Sequence, residues 1–252
     1  MRKSQTEKPN LSHVKIRSYR SKRWQRLLPY IIIAILSAFI LIDKCRAEEP
    51  ACVFLVENNR FTNQNYTRQD LLDFFELFPE NRFTDWQKEF VYKQSRYWRL
   101  HPITVLAMAQ KEGGVVVYPP EDPAEYERWI NLCMGYGMEY QRKVNDEVFY
   151  QFYGFDVQVN RGARCLRKFF DRYTTNKTVY MHNTKERVQP ENAATYALYI
   201  YTPFMGEYTW YGKTYAGQEE FVKIYDKMWK LWNEHIPGVR VAGIRIDFWR
   251  AD

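Results

Sequence analysis

Past its first 42 residues the chain contains one serine, Ser95, set in the basic and aromatic stretch KQSRYW. A serine hydrolase needs its nucleophile on a glycine-flanked turn with a histidine base in reach, and no such arrangement can be built here. Histidine is equally scarce. His13, His101, His182 and His235 are scattered, with no HExxH, and the four cysteines include no CxxC, so no metal is expected. Glycine is sparse as well: Gly113-Gly114 and Gly135-Tyr136-Gly137 lack the spacing that cradles a phosphate or a dinucleotide, and no cofactor is expected. A cysteine peptidase pairing Cys133 with His182 lacks any charge or turn context that would activate the thiol.

What the sequence does have is charge at one end. Residues 1–26 carry nine Lys or Arg against the single Glu7, whereas the rest holds 28 basic and 29 acidic residues. The net charge of +7 therefore belongs to the tail, and a near-neutral remainder lacks the positive face that nucleic acid requires. After Arg26 comes LLPYIIIAILSAFILI, residues 27–42, an uncharged run. As a helix it spans roughly 24 Å, somewhat short of the ~30 Å hydrocarbon core. It reads as an uncleaved transmembrane anchor or as a signal segment cut after Ala47. In either case the preceding positive charge keeps the N-terminus cytoplasmic and sends residues 48–252 out of the cytoplasm, to the periplasm or cell exterior. The organisation expected is a basic tail (1–26), a membrane or signal segment (27–42) and an exported domain (48–252). Among the cysteines, Cys133 and Cys165 are the pair expected to bridge, with buried thiols as the other reading.

Helical periodicity dominates the exported part. Residues 48–66 form a polar lead with one apolar patch, Val53 to Val56. Helices are expected from Arg68 to Phe78, from the Thr84 cap through Trp98, from Pro102 until Gly113-Gly114, over the end of YPPEDPAEYERW, along GARCLRKFFDRYT, from the Asn192 cap to Pro203, and from Gln218 to His235. Only VRVAGIRIDFW alternates like a strand, as an edge strand or ordered tail. The fold class expected is all-α, six or seven helices with a minor β element, large enough to bury roughly 70% of its unfolded surface.

One helix end carries candidate chemistry. In ITVLAMAQKEGGVVV, Glu112 follows a small apolar helix and precedes two glycines and three valines. Apolar walls and the negative end of a helix dipole both favour a neutral carboxyl, the form that can protonate a leaving glycosidic oxygen. A solvated glutamate at a helix end is the plainer alternative.

Four segments in order, VLAMAQKEGGVV, CMGYGM, FYGFDVQVNRGARCLRKFFDRY and ENAATYALYIYTPF, resemble a bacterial cell-wall-associated group of the lysozyme-like superfamily. That group carries a Gln-Lys-Glu helix end, a Thr-Gly-Tyr-Gly loop, a Gly-Phe-x-x-Gln-Val helix start and an Ala-Leu-Tyr-x-Tyr-Thr-Pro segment. The resemblance covers roughly residues 84–212 and implies the helical core of lytic transglycosylases and goose-type lysozymes, acting on the glycan strands of peptidoglycan. It places Glu112 as the catalytic acid, Gly135, Tyr136 and Gly137 in a loop lining the sugar cleft, and Gln158 at the polar position after the Gly-Phe pair. Tyr199 and Tyr201 fall where a tyrosine contacts the catalytic carboxylate or the sugar, with core packing as the other reading. The chain departs from the pattern at Met134, Gly113 and Asp156-Val157.

Mechanism depends on a second carboxylate, which sits roughly 6.5–9.5 Å away in inverting enzymes and about 5 Å away in retaining ones. Asp156 and Glu207 are the best sequence candidates; a lone Glu112 favours the transglycosylase route, in which the substrate's own 6-hydroxyl closes a 1,6-anhydro ring. Tyr136, Tyr140, Tyr153, Tyr208, Trp210 and Tyr211 lie in or beside expected loops, where rings could stack on sugars or simply fill a core. Two rival classes are a catalytically inactive glycan-binding or envelope-scaffold module, whose assembly partners the sequence does not name, and a single-pass glycosyltransferase of the secretory pathway, which shares the topology. Asn65-Tyr66-Thr67 and Asn176-Lys177-Thr178 suit the latter, but the sequence has no Asp-x-Asp motif and no βα alternation.

Overall fold

The structure, a computed structural model, describes residues 50–236 apart from positions 139, 145, 146, 211 and 212. The basic tail, the apolar run 27–42 and the strand expected near the C-terminus lie outside the described residues. Within them, no helix is long and apolar enough to cross a membrane.

Eight helices are present among the described residues: α1 (Asn58–Thr62), α2 (Arg68–Glu76), α3 (Asp85–Trp98), α4 (Pro102–Gly113), α5 (Pro123–Ile130), α6 (Phe155–Asp171), α7 (Ala193–Tyr201) and α8 (Gln218–His235). The expectation of an all-α fold is overturned by seven strands in three small sheets. Strand β1 (Ala51–Val53) pairs in parallel with β5 (Arg187–Pro190), placing Cys52 opposite Gln189, and β5 pairs antiparallel with β4 (Val179–Tyr180). The other two sheets are antiparallel pairs, β2 (Gln141–Val144) with β3 (Glu147–Tyr150), and β6 (Glu207–Trp210) with β7 (Lys213–Ala216). The physical reason for the miss is length. Strands of two to four residues contain one or two alternations, too few for a period of 2 to stand out.

The helices follow from local chemistry. Thr84 caps α3 with a complete capping box, its hydroxyl accepting from the Gln87 N–H while the Gln87 side chain accepts from the Thr84 N–H. Pro102 opens α4, where its missing N–H costs nothing, and Gly114 ends it in the left-handed conformation at φ 63°. Every residue from Pro102 to Ala109 is buried, so the first two turns of α4 are enclosed on all sides, packed against α8, α3 and α6. On α8, Phe221, Ile224, Tyr225, Met228, Leu231 and Trp232 form the buried stripe that their spacing predicts. Helix α6 begins at Phe155, well ahead of the segment whose periodicity first suggests it, and packs on α3 and α7. Tyr199, Val179, Met181, Val188 and Tyr196 make a second, smaller core beneath the three-stranded sheet. Cys133 and Cys165 are not joined by a disulfide.

His101 shows how the core constrains a titratable group. Its Nδ1 accepts the Ile103 N–H at 3.2 Å, and its ring lies edge-on to Trp229 and Trp232 with centroids 4.6 and 4.8 Å away. Burial alone pushes its pKa down from 6.5 to about 3. The unfolded chain therefore takes up a proton on this residue below about pH 6.5 while the folded chain does not, so stability is full above that pH and falls on acidification towards pH 3. At pH 4.5 the loss from His101 should reach about 2–3 kcal/mol. Urea midpoints measured between pH 4 and 7 check this, and His101→Asn, a cap without a titrating ring, should flatten the slope over that range. An equally steep slope in the variant would assign the loss to another group.

Candidate functional site

Glu112 occupies the last turn of α4, its side chain 22% exposed. The apolar walls expected from sequence are interrupted by a cation. The Lys111 side chain is only 4% exposed, and its Nζ donates to Glu112 Oε1 at 2.6 Å, a charge-assisted bond. Thr202, the C-cap of α7, donates its hydroxyl to the same oxygen at 3.3 Å. Oε1 is thus held by two donors. Oε2 faces the loop at Gly135, where a Cβ would stand 2.9 Å from it, and the glycine's φ of 64° also disfavours any side chain.

The loop that meets Glu112 is fixed by Gln158, which is fully buried on α6. Its Oε1 accepts the Tyr136 N–H at 3.0 Å, and its Nε2 donates to the carbonyls of Tyr136 and Phe152 at 2.9 and 2.6 Å. One amide therefore ties together three main-chain groups that would otherwise lack partners. A Cβ on Gly137 would run into the Phe152 ring, so the loop backbone passes close beside it. The side chains of Tyr136 and Phe152 meet edge to face, at 5.1 Å between centroids.

The departures at Gly113 and Met134 are explained by packing. A Cβ on Gly113 would lie 3.0 Å from the Cα of Cys133, so the end of α4 and the start of the loop touch backbone to backbone. Met134 is fully buried and packs on Gly162 of α6, where a Cβ would come within 2.7 Å of the methionine methyl. Gly162 supplies the space that Met134 fills.

The two tyrosines separate. Tyr201 is half-buried and donates its hydroxyl to the Met134 carbonyl at 2.7 Å; burial and the neighbouring Glu112 charge hold that hydroxyl well above its ordinary pKa, so it remains a donor. Tyr199 is not at the site. It lies in the small core under the sheet, because residues two apart on a helix point about 200° apart.

The hydrogen-bond partners of the Glu112 carboxylate among the described residues are Lys111 and Thr202, with no second carboxylate between them. Asp156 lines a groove between α3 and α6, and Glu207 is exposed at the first residue of β6. Cys133 is no nucleophile: burial pushes its thiol up to about 12, and His182 packs instead against Tyr180 and Phe204. Lys111 and Thr202 are the site residues that sequence reasoning missed. Lys111 sits inside the Gln-Lys-Glu triplet, and Thr202 immediately precedes the Pro203 that ends its helix; neither position alone announces contact with the acid. Gln110 completes the triplet by accepting the Val116 and Val117 N–H groups, which orders the chain after α4.

Tyr140 and Tyr153 are exposed, as are Val148 and Phe149 of β3, so the loop's flank presents aromatic surface to solvent. No group of three His, Cys, Asp or Glu side chains that could hold a metal gathers among the described residues. No protein-family model matches the chain, and no curated protein or solved structure is significantly similar to it.

Proposed function

We propose that this chain cleaves peptidoglycan glycan strands between N-acetylmuramic acid and N-acetylglucosamine, by a lytic transglycosylase route with Glu112 as the one catalytic carboxyl. The observation that carries the reading is the asymmetry of Glu112: Oε1 is held by Lys111 and Thr202, while Oε2 is directed to the Gly135 loop on a side chain that solvent reaches. The similarity of four segments to cell-wall lytic enzymes supports the same substrate.

In the first step Oε2 gives its proton to the glycosidic oxygen, and the bond from that oxygen to C1 of the muramic acid breaks. In the second, the 6-hydroxyl of the same muramic acid bonds to C1 and returns its proton to Glu112. No water is consumed. Lys111 and Thr202 fix the carboxyl plane through both steps, and Tyr201 and Gln158 hold the loop against which the sugar rests.

A second reading, a glycan-binding or envelope-scaffold module without turnover, is favoured by the same ion pair, since a carboxylate already matched by a buried ammonium is also a stable structural element. Digestion of purified peptidoglycan with the full chain and mass analysis of the soluble fragments separates the two. Fragments ending in 1,6-anhydro groups support the proposal; fragments with reducing ends mean hydrolysis, and binding without fragments means the second reading.

The substrate agrees with the topology proposed for the chain: cytoplasmic N-terminus, an anchor at residues 27–42 or release after cleavage near Ala47, and the domain in the periplasm or at the cell exterior. Alkaline phosphatase fused after Asp252 should then be active. An inactive fusion alongside an active cytoplasmic reporter would reverse the orientation.

A further inference from the structure

A groove of about 520 Å³ runs between α3 and α6, within the range of roughly 300–1,000 Å³ typical of small-ligand sites. Phe90 and Gln94 of α3 form one wall; Asp156, Asn160 and Arg161 of α6 form the other, and Phe152 closes an end. Behind this lining Trp86, 57% exposed, stacks on Phe90 with centroids 5.4 Å apart and planes 26° from parallel. The indole also packs on the buried Phe155, 5.8 Å between centroids, and leaves over half of its surface to solvent. Stacked on Phe90, it adds an exposed aromatic face next to that wall of the groove.

Most of the polar side chains that line the groove are uncommitted. Among the described residues, the side chains of Gln94, Gln151, Asp156 and Arg161 make no hydrogen bond or ion pair with protein, and Asn160 uses its carbonyl on the Trp98 indole. Asp156 and Arg161 are the two charged residues of the lining and are opposite in sign. The groove offers a carboxylate acceptor, a guanidinium donor and amides that do both, beside aromatic faces. A neutral, polyhydroxylated ring with one apolar face matches that set.

We propose that this groove is an accessory site for a sugar ring of a glycan strand, distinct from the loop at Glu112. The identification of the strand as peptidoglycan rests on the proposed function; the sugar chemistry does not. Phe152 links the two places, since its ring borders the groove on one side and packs on Tyr136 and Gly137 on the other. A strand held in the groove would be retained beside the loop after one cut. The accessory site would thereby favour repeated cleavage of the same strand.

The test is binding of an N-acetylglucosamine tetramer to the full chain in detergent micelles, bearing Glu112→Gln so that nothing is consumed, followed by calorimetry and the indole ¹⁵N–¹H resonances. The expected result is a shift of the Trp86 indole on titration, and at least a tenfold weaker response of that resonance in Asp156→Ala/Arg161→Ala, two exposed positions whose loss circular dichroism should show to leave the helix content unchanged. Trp86→Phe should retain part of the affinity and Trp86→Ala lose it. A Trp86 resonance that the tetramer leaves in place, or a double variant that binds as tightly as its parent, overturns the accessory site. Because this readout needs no turnover, a chain inert on peptidoglycan but shifted at Trp86 loses the proposed function and keeps the inference; one that cuts peptidoglycan with Trp86 silent does the reverse.

Discussion

Changing Glu112 to glutamine should lower the release of soluble fragments from peptidoglycan by roughly 10²- to 10⁴-fold, the usual share of general acid–base catalysis, with glycan binding retained. Glutamine keeps the length and an oxygen that can accept from Lys111 and Thr202, but it has no proton to transfer. It also strands an ammonium that is almost wholly buried, so some loss of stability accompanies the loss of turnover. The double variant Lys111→Met/Glu112→Gln removes that charge and should regain thermal stability without regaining activity, which separates the chemical effect from the structural one. Glu207→Gln, exposed on β6 and away from the contacts of Glu112, should cleave normally. Full activity in Glu112→Gln would place the acid elsewhere.

Gln158→Leu should be the most destabilising single change at the site. Leucine is close in volume but leaves the Tyr136 N–H and the carbonyls of Tyr136 and Phe152 without partners in a buried position. At about 1–3 kcal/mol for each orphaned group, the cost is roughly 3–9 kcal/mol, less whatever water entering the loop recovers. The urea midpoint measures it, and amide exchange at Tyr136 shows whether the damage is local. Turnover should fall more than the folded fraction does, since the loop facing Glu112 is what the amide fixes. A loss below about 1 kcal/mol would mean that the loop finds other partners.

The helices were legible because their ends are chemically marked. Thr84 with Gln87, His101-Pro102, Gly113-Gly114 and Asn192 each stand where the backbone starts or stops. The hairpins were not, although Val144 and Val148, and Tyr208 and Tyr215, are strand-favouring residues in the sequence around Asn145-Asp146 and Tyr211-Gly212. Four-residue strands present too little pattern against a chain whose aromatics are spread everywhere. Glu112, Gly135 and Gln158, which the resemblance grouped, lie near one another: Oε2 of Glu112 faces Gly135, and Gln158 bonds the adjoining Tyr136. Lys111 could not be read the same way: a lysine near a helix end is ordinarily solvated, and only the packing of α4 shows it turned inward. Tyr199 fails for an arithmetic reason. It cannot share a face with Tyr201, because residues two apart on a helix point about 200° apart.

Helix α7 is walled on two sides. Through Tyr196 and Tyr199 it belongs to the core beneath the sheet of β1, β5 and β4, and through Tyr201 and Thr202 it touches the Met134 loop and the acid. Gln218 of α8 pins its end by donating to the carbonyls of Leu198 and Thr202. A rod fixed in this way transmits rotation. Any repacking under the sheet that turns α7 about its axis swings the Thr202 hydroxyl off Oε1, so substitutions at Val188 or Met181, in a core apart from Glu112, should still disturb the carboxylate.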